Sequence, residues 1–170
     1  MTASLIVAIC GLVFSCLSLG WQAANFVLTG GRVKVKLSAG AMNSGGMVTM
    51  PPRNFTPQAL AQIQTQGYPV PIVAVEVANV GRQPVTVAKW NLLHATGVSY
   101  MPVAAAIGKP LPFRLEVGAS ETWAVELKTV LDIVAATEAT ITSNSGRGVR
   151  GVVELADGRS RRTTETLHLT

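Results

Sequence analysis

No side chain from Met1 through Gly31 carries a charge; Arg32 is the first, and all 14 basic and 9 acidic residues follow it. Few environments accept so long an uncharged stretch. Ala3 to Trp21 is apolar apart from small serines and glycines, and Ala23 to Leu28 extends it. A membrane span needs about 20 predominantly apolar residues, and tilt absorbs the excess length. Trp21 and Phe26 suit the headgroup level, and Ser15, Ser18 and Thr29 can bond back to helix carbonyls. Three other readings fit less well. A cleaved signal peptide needs a basic start and a small-x-small cleavage site, and neither is present. A lipoprotein signal would end at its cysteine, but Val13-Phe14-Ser15-Cys16 has a bulky Phe and the apolar run continues beyond it. The core helix of a soluble domain seldom runs this far without a charge. Residues 1–31 therefore read as a retained single-span anchor. Arg32, Lys34 and Lys36 follow the span and only the α-amine precedes it. The positive-inside rule then gives N-out, C-in, with the following domain cytoplasmic.

The remaining chain has enough apolar residues for one core. The whole sequence is 48% hydrophobic, only 14% charged and has a mean hydropathy of +0.37. Disorder throughout is excluded. The two cysteines, Cys10 and Cys16, both fall inside the span. They read as small apolar filler, and they exclude a disulfide scaffold or a multi-cysteine metal site. Gly11 and Gly20 do not form a GxxxG pair, so no helix-dimer motif is present.

After Gly31 the periodicity changes. Arg32-Val-Lys-Val-Lys-Leu37 alternates strictly, which predicts a half-buried strand with Val33, Val35 and Leu37 on one face. Ser38 to Gly46 is small and Gly-rich and reads as a loop. Met47 to Met50 fits a short edge strand closed by Pro51-Pro52. Thr56 as N-cap, Pro57 at the first helical position and Gly67 at the C-terminus bracket a short helix. The stretch 38–69 thus reads as a loop and helix insertion. Pro71 to Asn79 is almost continuously apolar, as for a central strand. A turn at Val80–Gln83 leads to a return strand, Pro84 to Leu93, with Val85, Val87 and Lys89 expected opposite Thr86 and Trp90. Further strands are expected at Val98–Val103, Leu111–Val117 and Glu121–Val130, followed by one or two helical turns over Leu131–Glu138. A C-terminal hairpin runs from Val149 to Leu169 around Asp157-Gly158. Short strands at this spacing predict a mainly β domain over residues 32–170, an antiparallel immunoglobulin-like β-sandwich.

The segments VEVANVGRQPVTVAKWNLL, LPFRLEVGASETWAVEL and VVELADGRSRRTTETLHL resemble a type of small single-span protein of high-GC Gram-positive bacteria with an immunoglobulin-like domain. The resemblance covers Ile72 to Leu169 and the anchor. It rests on turn and strand features: Asn79, Gly81, Arg82, Pro84, Leu111, Gly118, Trp123, Asp157 and Gly158. It implies a fold, with no known activity and no catalytic residues.

Chemistry is hard to find in this sequence. His94 and His168 stand 74 positions apart on different expected strands, without carboxylates at ligand spacing, and read as solvent-facing. No G-x-S-x-G or S-x-x-K occurs. Glu121 and Glu126 differ by an odd number and fall on opposite strand faces. Ser145 to Arg150 holds a lone Gly-x-Gly and reads as a loop. No cofactor or metal is expected. The net charge of +5 and pI near 9.7 come from two clusters. Arg32, Lys34 and Lys36 are membrane-proximal and fit contact with anionic lipid. Arg147, Arg150, Arg159, Arg161 and Arg162 gather at the C-terminal hairpin and could meet lipid or an acidic partner. No aromatic residue interleaves these arginines as a nucleic-acid stacking platform requires. The expected function is a membrane-anchored, non-catalytic binding or scaffold module. Its partners would be membrane lipid and another protein, reached through an edge strand, a loop or the basic hairpin. Self-association through the span and edge strands is a further possibility. The competing reading is a cell-envelope enzyme or enzyme accessory, with its domain outside the cytoplasm, gathering Glu116, Glu121, His94 or Tyr100.

Overall fold

A computed structural model of the chain describes residues 2–28, 31–103, 106–140 and 147–169. The uncharged segment forms one helix, α1 (Thr2–Leu28). Its stretch Ala3–Asn25 has a mean hydropathy of 2.3, is long and apolar enough to cross a membrane, and is not buried by the rest of the chain. The Ser15 hydroxyl donates to the Gly11 carbonyl at 2.8 Å, which satisfies a hydroxyl that no water would reach in lipid. Thr29 and the Phe26 side chain, expected to help at the helix end, lie outside the described residues.

The rest is a sandwich of two antiparallel sheets, as the strand pattern predicts. In chain order the strands are β1 (Val33–Asn43), β2 (Gly46–Met50), β3 (Val70–Asn79), β4 (Val85–His94), β5 (Ser99–Tyr100), β6 (Phe113–Leu115), β7 (Ser120–Glu126), β8 (Gly148–Leu155), β9 (Ser160–Arg162) and β10 (Leu167–His168). One sheet has the order β2-β1-β3-β7; the other has β10-β8-β4-β5, with β6 also paired to β4 and β9 to β8. β3 is central, as its apolar run predicts, and both of its faces are covered. Val73, Val75 and Val77 enter the main core with Trp90, Trp123, Val125 and Val153. Ile72 and Ala74 join Ala124 in a second, smaller cluster on the other face, with Met42, Val70 and Ile107 packed around it.

Four expectations are corrected. First, Ser38 to Asn43 is not a loop but the second half of β1, paired with both β2 and β3. Its small residues serve close approach: a Cβ on Gly40 would fall on the Val48 carbonyl oxygen, and Ala39 and Ala41 are fully buried. Only the stretch between β2 and β3, residues 51–69, is inserted. There a short 3₁₀ turn (Pro52–Asn54) precedes α2 (Pro57–Thr65), capped by Thr56 Oγ1 accepting from the Ala59 amide at 3.1 Å. Second, the β4 alternation is broken by a bulge between Val87 and Lys89. A bulge shifts the side-chain phase by one. Val85 and Val87 are therefore buried together with Trp90, Leu92 and His94, and Trp90 is not opposite the valines.

Third, the strand expected to reach Val130 stops at Glu126, and α3 (Leu127–Thr140) begins at once. Leu127, Val130, Val134 and Thr137 recur at helical spacing and are its buried face. Fourth, the C-terminal hairpin is interrupted. β9 and β10 pair with the same edge of β8, but their registers differ, with Arg162 opposite Val152 and Leu167 opposite Val149. The Thr163 hydroxyl holds the break by accepting from the Gly151 amide and donating to the Glu165 carbonyl.

Candidate interaction surface

The strand that leaves α1 has an open edge. The Val80 amide donates to the Arg32 carbonyl at 2.9 Å, continuing the β1–β3 register. Antiparallel residues direct their backbone groups alternately to the two sides. Lys34 and Lys36 therefore bond to β3, while Val33, Val35 and Leu37 direct their N–H and C=O groups away from it. β2 covers that side only from Ala39 to Asn43. From Lys34 to Ser38 the strand borders a cleft of about 390 Å³, lined also by Thr49 to Pro51, Glu76 and Thr163 to Glu165. The break between β9 and β10 supplies its far wall.

Of the two basic clusters only Lys34 and Lys36 line this cleft, and Glu165 lines it from the side of β9. β9 packs against β1. Arg161 lies opposite the core residue Val153, so it leaves β9 on the face turned toward the sheet that holds β1, yet it remains exposed. Arg162, opposite Val152, takes the other face. Lys36 pairs with Glu76 at 3.6 Å. Lys34, Arg161 and Arg162 have no ion-pair partner among the described residues. Arg159 sits at the same end, close to Gly31, and holds Asp157 at 2.6 Å. Its guanidinium donates to Asp157 and so keeps that carboxyl below the ordinary aspartate value.

Of the other two arginines of the second cluster, Arg147 lies just before β8, at the end away from Arg159, and Arg150 lies two positions from Val152, the residue opposite Arg162. Arg147 is paired with Glu138 at 3.0 Å. Arg150 donates to the Thr166 hydroxyl at 2.7 Å. The hairpin arginines thus do not form one patch: Arg147 and Arg159 stand at opposite ends of β8, and Arg161 and Arg162 leave β9 on opposite faces.

Near Arg150 the fold brings the two histidines to one cleft of about 400 Å³, shared with Leu93, Gly97, Gly148 and Thr166. Their expected exposure is half right. His168 is exposed, but His94 is buried, because the β4 bulge brings Trp90, Leu92 and His94 into phase with the buried Val85 and Val87. His94 Nδ1 lies 2.9 Å from the Thr96 hydroxyl, and Nε2 is buried with no hydrogen-bond partner among the described residues. No group of three or more potential metal ligands occurs among the described residues. Ser145 and Gly146 of the expected loop lie outside the described residues, and Gly148 to Arg150 belong to β8.

The residues named for an enzyme site do not share one pocket. His94 and Tyr100 border a small apolar void beneath α3, with Val130 and Val134. Glu121 pairs with Lys109 at 2.7 Å, and Glu116 with Arg114 at 2.9 Å.

Two features escape a reading by periodicity. One is the open edge, signalled only by alternating Lys34 and Lys36, since edge strands commonly carry lysine. The other is Asn79, 1% exposed at the end of an apolar strand. Its amide Nδ2 donates to the Gln83 and Leu115 carbonyls at 2.8 and 3.1 Å, and its Oδ1 accepts from the Gly81 amide at 3.0 Å. The chain matches no protein-family model and no curated protein.

Proposed function

We propose that this protein is a membrane-anchored, non-catalytic binding module that takes an extended segment of another protein as an added strand on the open edge of β1. The observation that carries this reading is the set of backbone donors and acceptors on Val33, Val35 and Leu37, unclaimed by β2, with Val35 and Leu37 bordering a cleft. Strand addition supplies main-chain hydrogen bonds for affinity and side-chain pockets for selection. The charge around the edge selects the occupant. Lys34, and Arg161 leaving β9 toward the sheet of β1, favour an acidic segment, against one wall carboxylate, Glu165, that has no ion-pair partner among the described residues. A second copy pairing edge to edge would set Lys34 and Lys36 against their own counterparts, which opposes that pairing. α1 anchors the module, and Arg32, Lys34 and Lys36 beside it support a cytoplasmic domain.

Photo-crosslinking in native membranes tests the reading, with the reactive group at position 34. The expected result is one protein captured through an acidic, extended segment. Val35→Pro removes an edge N–H without touching the β1–β3 ladder, and proline is tolerated at a sheet edge. It should reduce capture about tenfold, the loss of roughly 1.4 kcal/mol from one main-chain bond. Capture that Val35→Pro leaves unchanged, or capture of the chain's own second copy, would overturn the proposal.

A further inference from the structure

The end of the sandwich that joins α1 carries two exposed valines on neighbouring turns. Val80, in the β3–β4 turn, is 61% exposed, and Val117, in the β6–β7 turn, is 52% exposed. Isolated apolar side chains on a surface are ordinary. These two differ in where they are and in how firmly they are held. The Val80 and Gly81 amides both donate to the Arg32 carbonyl. The Gly118 amide donates to the Asn79 carbonyl, and the Asn79 amide to the Ala119 carbonyl. The buried Asn79 side chain then ties Gly81, Gln83 and Leu115 together. Both tips are therefore fixed to the first residues after the helix.

Chain length limits how far this end can stand from α1. Three residues separate Leu28 from Arg32, and the four steps between them span at most about 14 Å. Gly31 is itself packed against β4, where an added Cβ would come within 2.6 Å of Val85 Cγ2. The charges at this end are either basic or paired. Arg82 is exposed beside Val80, and Arg32 is exposed at the junction. Asp157 is held by Arg159, and Glu116 by Arg114. Apolar tips with a basic surround match the headgroup layer of an anionic bilayer.

We propose that this end of the domain rests in the headgroup layer of the bilayer crossed by α1, with Val80 and Val117 inserted and Arg32 and Arg82 against anionic headgroups. The inference rests on α1 being a membrane anchor, but not on strand addition at β1. Tethering makes the docking intramolecular, so two small side chains suffice to hold it. The docked domain would have one fixed face toward lipid and would present the β1 edge sideways, along the membrane surface.

Depth measurement by spin labelling tests this on the full chain, with Cys10 and Cys16 replaced by serine. Single cysteines at Leu12, Ser44, Val80 and Val117 carry the label, in phosphatidylcholine vesicles with and without phosphatidylglycerol. The Asn43–Gly46 turn holding Ser44 is at the far end of β1 and is the aqueous reference. The expected result is an oxygen-to-nickel accessibility ratio at 80 and 117 several-fold above that at 44, with Leu12 deeper still. Arg82→Glu should lower the ratio at 80 only in the anionic vesicles. Ratios at 80 and 117 equal to that at 44, with Leu12 deep in lipid, would overturn the docking and leave the anchor intact. A water-exposed label at Leu12 would overturn both. A protein partner on this face would give the aqueous result in these protein-free vesicles.

Discussion

At the residue scale, the fold depends on a few polar side chains in places where apolar ones would be the simple choice. Asn79 ends the most apolar strand in the chain and is nearly inaccessible, yet it makes three hydrogen bonds to backbone groups of two turns. Truncation leaves those groups with no partner in a site that water cannot easily enter. Asn79→Ala should destabilise the domain by about 3 kcal/mol, the cost of stranding buried polar groups. Denaturant unfolding in micelles, read by the buried Trp90 and Trp123, measures it. Asp157 illustrates the opposite case, a polar contact in full solvent. Its carboxyl is held below the ordinary value of 3.8, first by the Arg159 side chain and then by the Arg159 amide. A carboxyl depressed in the folded state adds stability above its unfolded pKa, and that stability is lost as pH falls through the folded value. Asp157→Asn should therefore lower the unfolding midpoint slightly at about pH 7, and the difference should shrink as pH falls through the folded value, where wild type loses the pair too. A difference that persists in acid would mean that Asp157 acts through turn geometry and not through charge.

Elements were legible where hydrophobic phase and caps agreed, and misread where a local device reset the phase. α2 followed from Thr56, Pro57 and Gly67, because capping chemistry is written in adjacent residues. Strands β1 and β7 followed from alternation, and β3 from its continuous apolar run. The bulge in β4 was not legible: it is a single extra residue near Ala88, and no residue type announces it. Its consequence reached the site, since it turned His94 inward. The open edge was hidden for a different reason. A strand's own sequence records which face is buried, but not how far its neighbour extends. The second half of β1 was mistaken for a loop because Ser38-Ala39-Gly40-Ala41 is composed like one. Its smallness answers a packing need that belongs to β2. Gly40→Ala would put a Cβ against the Val48 backbone, with Thr49 Cα at 2.9 Å, so a backbone must move. A loss of about 3 kcal/mol is expected, as for overpacked core sites. Gly46→Ala, with nothing within 4 Å of its added Cβ, is the matched control. It should change stability by less than about 0.5 kcal/mol in the same unfolding assay. Equal effects at the two sites would mean that β1 and β2 are not packed this closely.

For the whole molecule, one short segment carries three roles at once. Arg32 to Lys36 begins the first strand, borders the open edge and, on the proposed reading, supplies the charge that would orient α1 in a membrane. These roles can be separated because they use different parts of the residues. The strand and its edge depend on backbone groups and on Val33, Val35 and Leu37. Orientation depends on the outward basic side chains, which take no part in the core. Lys34→Gln with Lys36→Gln should therefore leave the sandwich folded while removing two of the three charges next to the span. The bias for a cytoplasmic C-terminus then falls to Arg32 alone against the α-amine, and a mixed population of orientations is expected. Fusions at Thr170 read the outcome, one to a phosphatase active only outside the cytoplasm and one to a protein fluorescent only within it. Wild type should fluoresce without phosphatase activity, and the double variant should show both signals. Phosphatase activity in wild type would place the domain outside and transfer the search for its acidic partner there. It would leave the β1 edge and the lipid-facing turns as they are, since neither depends on which side of the membrane the sandwich occupies.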